Sequence, residues 1–218
     1  VKVVTWEGSF NYSAINNFAV REARGEYLLF LNNDVEIITE SWLEEMLQLC
    51  QQKDVGMAGA KLYYPDDTIQ HAGVVVGLGG VAAHVLCKLP RDAEGYMGRL
   101  RCVQEISAVT AACMMVKTSV FKAVGGFDEE LKVAFNDIDL CMKVRKYGVK
   151  NWYSHRMQEL YHYESKSRGL EDTPEKVARF NKEIATFEKK WPEILKNGDP
   201  YYNPNLTLKS QDFSLKRI

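Results

Sequence analysis

An apolar stretch at residues 27–31 is followed at once by three polar side chains, Asn32, Asn33 and Asp34. With Gly25 before it, this five-residue run is typical of a strand in the interior of a mixed or parallel sheet. In open α/β sheets ligands bind beyond the carboxyl ends of such strands. The pattern therefore predicts that Asp34 lies at the rim of a binding crevice, although Asn-Asn-Asp is also a common turn sequence.

Helical and extended patterns alternate along the first part of the chain. Residues 14–24 have apolar positions at helical spacing, with Ser13 as the expected N-cap and Gly25 just beyond the last turn. Residues 39–50 predict a second helix, and residues 54–60 predict the next strand. This order of elements indicates an α/β domain.

Further strands and a third helix are predicted in the middle of the chain. A β-hairpin is expected around a turn at residues 65–68. The small and apolar residues 107–116 predict a buried strand whose backbone a ligand could approach closely. Residues 136–148 predict a helix capped by Asn136. The last strands are predicted at residues 150–154 and 157–163.

The C-terminal part begins with a clear helix signal, because Thr173 suits an N-cap and Pro174 the first helical position. Apolar residues then recur at steps of three and four, and we expect this stripe to pack on the body of the protein. The stripe consists of Val177, Phe180, Ile184, Phe187 and Trp191. From Asp199 the tail is irregular. We therefore expect a core at residues 1–170 and an amphipathic helix with its tail at residues 171–218.

Composition indicates one well-packed core. The chain has 218 residues, of which 46% are hydrophobic and 26% are charged, as in globular proteins. A formal net charge of -1 provides no basic surface for nucleic acid, so we expect the partner to bind in a local pocket. No apolar run is long enough to span a bilayer, and the five widely spaced cysteines are expected to be reduced. These features favour the cytoplasm, where a lipid-linked substrate could hold the protein at the inner face of the membrane.

Three groups of polar residues could carry chemistry: Asp34, the pair Asp137 and Asp139, and His162. Each has a simpler interpretation. The two aspartates could merely complement a helix dipole, and the histidine could be a satisfied core residue. Together, however, carboxylates and an imidazole with open coordination positions suit Mg²⁺ or Mn²⁺ better than structural zinc. Such an ion usually completes its shell with substrate phosphates.

Four ordered motifs resemble those of the family 2 glycosyltransferases of GT-A fold. They are Leu-Asn-Asn-Asp-Val at residues 31–35, Gly-Gly-Phe-Asp-Glu at 125–129, Phe-Asn-Asp-Ile-Asp-Leu-Cys at 135–141, and His162 with residues 164–169. The resemblance is to members that build bacterial surface polysaccharides, O-antigen and rhamnan-type enzymes among them. It implies a mixed, mostly parallel sheet flanked by helices.

The resemblance also implies which residues bind the nucleotide-sugar donor and its metal ion. Asp34 matches the metal-binding carboxylate that ends the family's D-x-D motif, which here includes Asn32 and Asn33. His162 matches a late histidine that contacts the metal or the diphosphate. Asn17 matches an asparagine that faces the donor nucleotide. Mn²⁺ or Mg²⁺ is the implied cofactor.

Asp137 matches the general base of the family, and Asn136 stands where the family usually has Glu. The implied reaction is a single inverting displacement, in which Asp137 takes a proton from an acceptor hydroxyl as it attacks a nucleotide-activated sugar. The implied partners are a nucleotide-sugar donor and a saccharide or lipid-linked saccharide acceptor.

The family normally begins with a strand, a helix and a strand that bind the nucleobase, and residues 1–5 predict only one short strand. We therefore expect a core truncated at its amino end that binds the donor weakly. Asn32 and Asn136 also leave two alternatives open. One is a noncatalytic fragment or scaffold domain, and the other is a metal-independent transferase of the same fold.

Overall fold

The computed structural model describes residues 2–154, 159–163 and 173–217. The strands of this part of the chain are, in order, β1 (Tyr27–Leu31), β2 (Val35–Ile37), β3 (Val55–Gly59), β4 (Lys61–Tyr63), β5 (Ile69–His71), β6 (Val74–Val76), β7 (Ala82–His84), β8 (Gln104–Ile106), β9 (Cys113–Lys117), β10 (Lys150–Tyr153) and β11 (Glu159–His162). The helices are α1 (Tyr12–Val20), α2 (Trp42–Gln51), α3 (Thr118–Ala123), α4 (Asn136–Lys146), α5 (Pro174–Lys190) and α6 (Pro192–Asn197). The α/β class expected from the sequence is confirmed.

The largest sheet has five strands in the order β1-β9-β3-β10-β8. It is mixed, as expected, but the expectation of mostly parallel pairing is wrong. Among the described strands, β3 with β10 is the one parallel pair of this sheet, and the other three pairs are antiparallel. The reason is that β9 enters between β1 and β3 without a preceding crossover helix, so it runs opposite to both. β1 consequently lies at an edge of the described sheet instead of in its interior.

A second sheet continues the first, in the order β2-β11-β4-β5, and a separate hairpin pairs β6 with β7. The chain passes from the first sheet to the second between β1 and β2, and again between β3 and β4. Asn32, Asn33 and Asp34 form the first of these connections. The polar end of the predicted strand therefore lies where the two sheets meet.

Both faces of the five-stranded sheet are covered by helices. Along β9, Cys113 and Met115 belong to the hydrophobic cluster under α2, whereas Met114 and Val116 belong to the larger cluster on the other face. This alternation follows from the two-residue period of a strand. It explains why the strand is apolar at consecutive positions, as a strand buried on both faces requires.

Two expectations for the N-terminal region are wrong. Residues 2–5 form no strand, and the N-cap of α1 is Asn11 instead of Ser13. The Asn11 side chain accepts from the Ala14 amide at 3.1 Å. The Ser13 hydroxyl instead donates to the Leu131 carbonyl at 2.6 Å within the protein. A tertiary partner thus removes Ser13 from the capping position that its sequence context favoured.

The C-terminal helix α5 begins as predicted, since the Thr173 hydroxyl accepts from the Lys176 amide at 3.3 Å. Of its apolar stripe, Phe187 is fully buried, whereas Val177 is 45% exposed and Phe180 is 39% exposed. The packing on the body is therefore concentrated in the second half of the helix. Within the described residues, no helix is both long enough and apolar enough to cross a membrane.

Candidate functional site

Strand pairing brings Asp34 and His162 together. Val35, the first residue of β2, lies opposite His162 on β11, and the Tyr163 amide donates to the Asp34 carbonyl at 2.8 Å. As a result, His162 Nε2 lies 3.2 Å from the Asp34 carboxylate oxygen Oδ1. Both side chains are largely shielded from solvent. The remainder of the fourth motif, residues 164–169, lies outside the described residues, as do residues 157–158 of the last predicted strand.

Gln70 on β5 fixes the proton position of the His162 ring. Its amide nitrogen donates to the His162 carbonyl at 3.2 Å, and its Oε1 lies 2.7 Å from His162 Nδ1. Because an amide oxygen can only accept, the proton of the neutral ring is on Nδ1. Nε2 therefore carries the lone pair, which accepts from the Asn32 amide nitrogen at 3.1 Å and lies on the side of Asp34.

These atoms fit two ligands of one divalent ion. Ligand atoms at about 2.1 Å from an octahedral ion and at right angles to each other lie about 3 Å apart, close to the 3.2 Å between His162 Nε2 and Asp34 Oδ1. A ligating histidine also commonly donates its second N–H to an oxygen, as His162 does to Gln70. In the described residues no cluster of three or more His, Cys, Asp or Glu side chains is assembled for a metal. An ion here would take its remaining ligands from water and substrate oxygens.

Asp137 lies in the first turn of α4, oriented by two backbone donors. Its Oδ1 accepts from the Ile138 amide at 2.9 Å and its Oδ2 accepts from the Ala111 amide at 3.2 Å. The predicted capping by Asn136 is wrong, because the N-cap is Phe135 with a φ of 61°. This left-handed conformation is unusual for a bulky side chain. Phe135 lies two residues before Asp137, so the backbone strain is close to the residue that bears the carboxylate.

Asp137 lies between two adjoining cavities that also share Thr110 and Arg179 among their lining residues. The first, which includes Asn33 and which we call the Asn33 lobe, has a volume of about 460 Å³. The second includes His162, and this His162 lobe has a volume of about 670 Å³. The two lobes form one cleft that Asp137 and His162 line together, whereas Asp34 contacts His162 without lining either lobe.

Small side chains line the Asn33 lobe, as expected from the sequence of residues 107–116. Ala111 and Ala112 contribute to its wall, but they lie in the loop before β9 and not in the strand itself. Tyr12 on α1 lines the same lobe and donates its hydroxyl to the Ala111 carbonyl at 3.0 Å. Burial, together with the charge of Asp137, raises the pKa of Tyr12, so its hydroxyl stays protonated at neutral pH.

Asn17 does not join the other predicted site residues, and it lines neither lobe. Its amide nitrogen donates to the Phe127 carbonyl and to Glu129 Oε1, each at 3.0 Å, and its Oδ1 accepts from the Phe127 amide at 3.0 Å. These bonds anchor the loop that follows α3. The geometry therefore gives Asn17 a structural role, and its contact with the donor nucleotide stays a prediction.

Asp139 is fully buried and belongs to a structural network. Its carboxylate accepts from the Trp191 indole at 2.9 Å, and it pairs with Lys190 at 2.7 Å and with Lys143 at 3.3 Å. These contacts join α4 to the end of α5. The two aspartates of the third motif thus have different surroundings, since Asp137 faces the cleft and Asp139 faces the core.

Sequence reasoning did not identify Gln70 or Tyr12 as residues of the site. Gln70 could have been noticed as a polar residue within the predominantly apolar arm of the predicted hairpin, where a buried polar side chain needs a partner. Tyr12 carries no such signal, because its place beside Ala111 depends on how α1 packs across the sheet.

The sequence of this chain is similar to those of known proteins. A family model described as a glycosyltransferase-like family matches residues 1–183. Protein y4gI of Sinorhizobium fredii is 53% identical over 216 residues, which are 99% of this chain and 24% of that protein. The O-antigen biosynthesis protein RfbC of Myxococcus xanthus is 40% identical over 215 residues, which are 98% of this chain and 16% of that protein. This chain therefore spans a quarter or less of the length of either relative.

The fold is also similar to that of a solved structure of GalNAc-T7 with UDP, GalNAc and Mn²⁺. The TM-score is 0.63 at 11% sequence identity, and the match covers 87% of this chain and 36% of that one. At this identity the similarity concerns the fold alone. It confirms the GT-A architecture that the sequence motifs implied.

Proposed function

This chain belongs to the glycosyltransferase-like family, whose model matches residues 1–183, and we propose that it moves a sugar from a nucleotide-diphosphate sugar to a saccharide or lipid-linked saccharide. We assign the product to a cell-surface polysaccharide, because a 40% identical relative is named for O-antigen biosynthesis. The observation that carries the proposal is the single cleft in which Asp137 lies between the Asn33 lobe and the His162 lobe.

Asp137 is the proposed general base. The Ile138 and Ala111 amides orient its carboxylate in the space that both lobes share. An acceptor hydroxyl bound there gives its proton to Asp137 while its oxygen forms a bond to the anomeric carbon of the donor. The bond from that carbon to the diphosphate breaks at the same time, on the opposite side. A single displacement of this kind inverts the configuration of the anomeric carbon.

Asp34 and His162 are the proposed ligands of Mn²⁺ or Mg²⁺, with Asn32 and Asn33 beside them on the donor side. A divalent ion bound there neutralises negative charge on a departing diphosphate. Gln70 keeps the His162 Nε2 lone pair directed toward Asp34 by holding the ring proton on Nδ1. Asn32 brings an amide where the family motif has a carboxylate, so Asp34 carries the charge of this motif.

We place the reaction in the cytoplasm, at the inner face of the membrane when the acceptor is lipid-linked. Nucleotide sugars and lipid-linked acceptors meet at that surface. A net charge of -1 gives no basis for an interaction with nucleic acid.

A noncatalytic, transferase-like domain is the second candidate. Two observations favour it, namely Asn32 in place of a carboxylate beside the metal ligands and Asn136 in place of the usual Glu beside the base. Both residues lack the negative charge that the family motif has at that position. The two candidates therefore predict different results for sugar transfer, whereas both predict that the domain binds the donor.

Sugar transfer by the wild-type protein separates the two candidates, and replacement of Asp137 by Asn tests the proposed base. The variant keeps an acceptor oxygen for the Ile138 amide but cannot take a proton, so we expect transfer to fall about a thousandfold. The affinity for UDP or GDP with Mn²⁺ should stay within about twofold, since a base contributes little to binding of the leaving group. Sugar transfer from a panel of labelled nucleotide sugars and titration calorimetry measure the two effects.

Near-normal turnover of the Asp137→Asn variant would remove Asp137 from the mechanism. Wild-type protein that binds nucleoside diphosphates but transfers no sugar supports the noncatalytic candidate. Transfer that persists in the presence of a chelator supports the metal-independent transferase.

A further inference from the structure

A third cavity adjoins the His162 lobe and has no role in the reaction as described so far. It has a volume of about 490 Å³ and lies between the C-terminal tail and the segment that follows β7. We call it the tail lobe. Cys87 and Gln211 line both the tail lobe and the His162 lobe. The cleft therefore continues beyond the His162 lobe toward the C-terminal tail.

The fold holds the two walls of the tail lobe in place. The Leu86 amide donates to the Gln211 carbonyl at 3.0 Å, and this bond joins the tail to the segment that follows β7. Phe213 of the tail is buried, and its ring stacks on that of Tyr96 with ring centroids 5.2 Å apart. The cavity is therefore formed by the packing of the protein itself, as is usual for ligand pockets.

The lining of the tail lobe combines apolar and polar groups. Leu86, Leu89 and Tyr96 provide apolar surface, and Ser210 and Asp212 provide hydrogen-bonding groups. Ligand pockets usually have such a mixed lining, and their volumes are about 300–1,000 Å³. A sugar ring has the complementary surface, because its C–H groups are apolar and its hydroxyls donate and accept hydrogen bonds.

Asp212 gives the tail lobe a negative charge. Its Oδ1 accepts from the Ser214 hydroxyl at 2.7 Å and from the Ser214 amide at 3.1 Å. Hydrogen bonds from the side chains of Ser210 and Ser214 lower the pKa of Asp212 to about 2, so its carboxylate is ionised at neutral pH. An ionised carboxylate only accepts hydrogen bonds, which suits the hydroxyls of a sugar. It also repels phosphate groups, which disfavours a nucleotide in this lobe.

We propose that the tail lobe binds a sugar unit of the acceptor saccharide beyond the unit that reacts, so that the acceptor is an oligosaccharide. The proposal deepens the glycosyl transfer proposed above and rests on it. Asp137 and His162 both line the His162 lobe, so the reacting groups belong in that part of the cleft. An acceptor chain that extends from the reacting unit enters the adjoining tail lobe. The C-terminal tail is thus part of the acceptor site.

Carbon-13 NMR of the leucine methyl groups tests the proposal without any turnover. The probes are methyl glycosides of the common hexoses, the corresponding disaccharides and trisaccharides, and UDP or GDP with Mg²⁺. We expect the methyl resonances of Leu86 and Leu89 to move when a disaccharide or trisaccharide binds. A methyl glycoside should leave them in place, because one sugar unit occupies the reacting position. UDP or GDP with Mg²⁺ should also leave them in place.

A matched pair of variants measures what the carboxylate contributes. Asp212→Asn should weaken binding of the responding oligosaccharide about tenfold, which corresponds to one lost hydrogen bond to a charged group. Binding of methyl glycosides should not change. Asp66→Asn is the control, because Asp66 Oδ1 accepts from the Thr68 amide and hydroxyl at 3.1 and 2.6 Å, as Asp212 does from Ser214. Asp66 lies in the turn before β5 and does not belong to the lining of the three lobes. Thermal melting confirms that each variant is folded.

Three outcomes would overturn the proposal. One is an equal shift of the Leu86 and Leu89 resonances with methyl glycosides, which would make the tail lobe a site for a single sugar. Another is a shift with UDP or GDP, which would make it a nucleotide site. The third is full oligosaccharide binding by a folded Asp212→Asn variant.

The same titrations separate this proposal from the proposed function. If wild-type protein transfers sugar and binds oligosaccharides while Leu86 and Leu89 do not respond, this proposal alone fails. If wild-type protein binds no saccharide and transfers no sugar, the proposed glycosyl transfer fails and this proposal fails with it.

Discussion

Gln70 determines which nitrogen of His162 faces Asp34. It is almost fully buried, and its side-chain nitrogen and oxygen both contact His162, one at the backbone carbonyl and one at the ring. Since the carbonyl can only accept, the amide cannot turn over without losing its bond to that carbonyl. The lone pair on Nε2 is thus a consequence of a residue 92 positions earlier in the chain.

Substitutions at Gln70 and at Asn32 should change the affinity for Mn²⁺ in opposite directions. Gln70→Leu removes the oxygen that holds the Nδ1 proton, so we expect Mn²⁺ affinity to fall by about tenfold to a hundredfold. Asn32→Asp adds a carboxylate beside His162 Nε2 and should strengthen Mn²⁺ binding. Electron paramagnetic resonance of free Mn²⁺, with and without UDP, measures both. Equal affinity in both variants and wild type would place the ion elsewhere.

At the scale of elements, α5 holds the segment that leads into α4. Glu183 is 1% exposed, and its two carboxylate oxygens accept from the Val133 amide at 2.9 Å and the Ala134 amide at 3.1 Å. The next residue, Phe135, packs against Phe187 with ring centroids 5.5 Å apart. The C-terminal helix therefore stabilises the left-handed residue that precedes Asp137.

Glu183→Leu should lower the free energy of unfolding by about 3 kcal/mol, because two buried amides lose their acceptor. Glu183→Gln keeps one acceptor oxygen and should have a smaller effect. Glu188→Gln, at an exposed position of the same helix, should change the free energy of unfolding by less than about 0.5 kcal/mol. Urea denaturation measures all three. A Glu183→Leu variant as stable as the control would show that α5 does not support this segment.

At the scale of the whole molecule, the C-terminal tail belongs to the main core. Tyr202, Leu206 and Phe213 are buried in the same hydrophobic cluster as Met57 and Met114 of the central sheet. In addition, a carboxylate oxygen of the buried Asp199 accepts from the Val76 amide at 2.9 Å. One core shared by sheet and tail favours a single cooperative unfolding transition.

Phe213→Ala tests this shared core. Phe213 is 4% exposed and packs between Tyr96 and Tyr202, with ring centroids 5.2 and 5.1 Å away. Its truncation should lower the free energy of unfolding by about 3–5 kcal/mol, and circular dichroism and tryptophan fluorescence should report the same transition. Leu215→Ala, at a position that is 71% exposed, is the control. An early, separate transition of the tail would contradict a single core.

Local sequence signals predicted the helices and strands themselves better than they predicted which elements contact each other in the fold. The strand at residues 54–60 and the helix start at Thr173 were predicted correctly, because hydrophobic period and capping depend on adjacent residues. Ser13 was wrongly predicted as an N-cap because its hydroxyl binds the Leu131 carbonyl, 118 positions away. The edge position of β1 likewise depends on which strand pairs with it, and no local pattern specifies that.

By itself the sequence determined the α/β order of the elements and the polar residues at or just beyond their ends, including Asp34, Asp137 and His162. These assignments depend on spacing along the chain, which the sequence contains. Only the tertiary structure decided that Asp137 and His162 line one cleft, that Asp34 contacts His162, that Asn17 anchors a loop, and that Gln70 orients His162. Such roles depend on hydrogen bonds across sheets, and pairing of distant strands creates them only when the chain has folded.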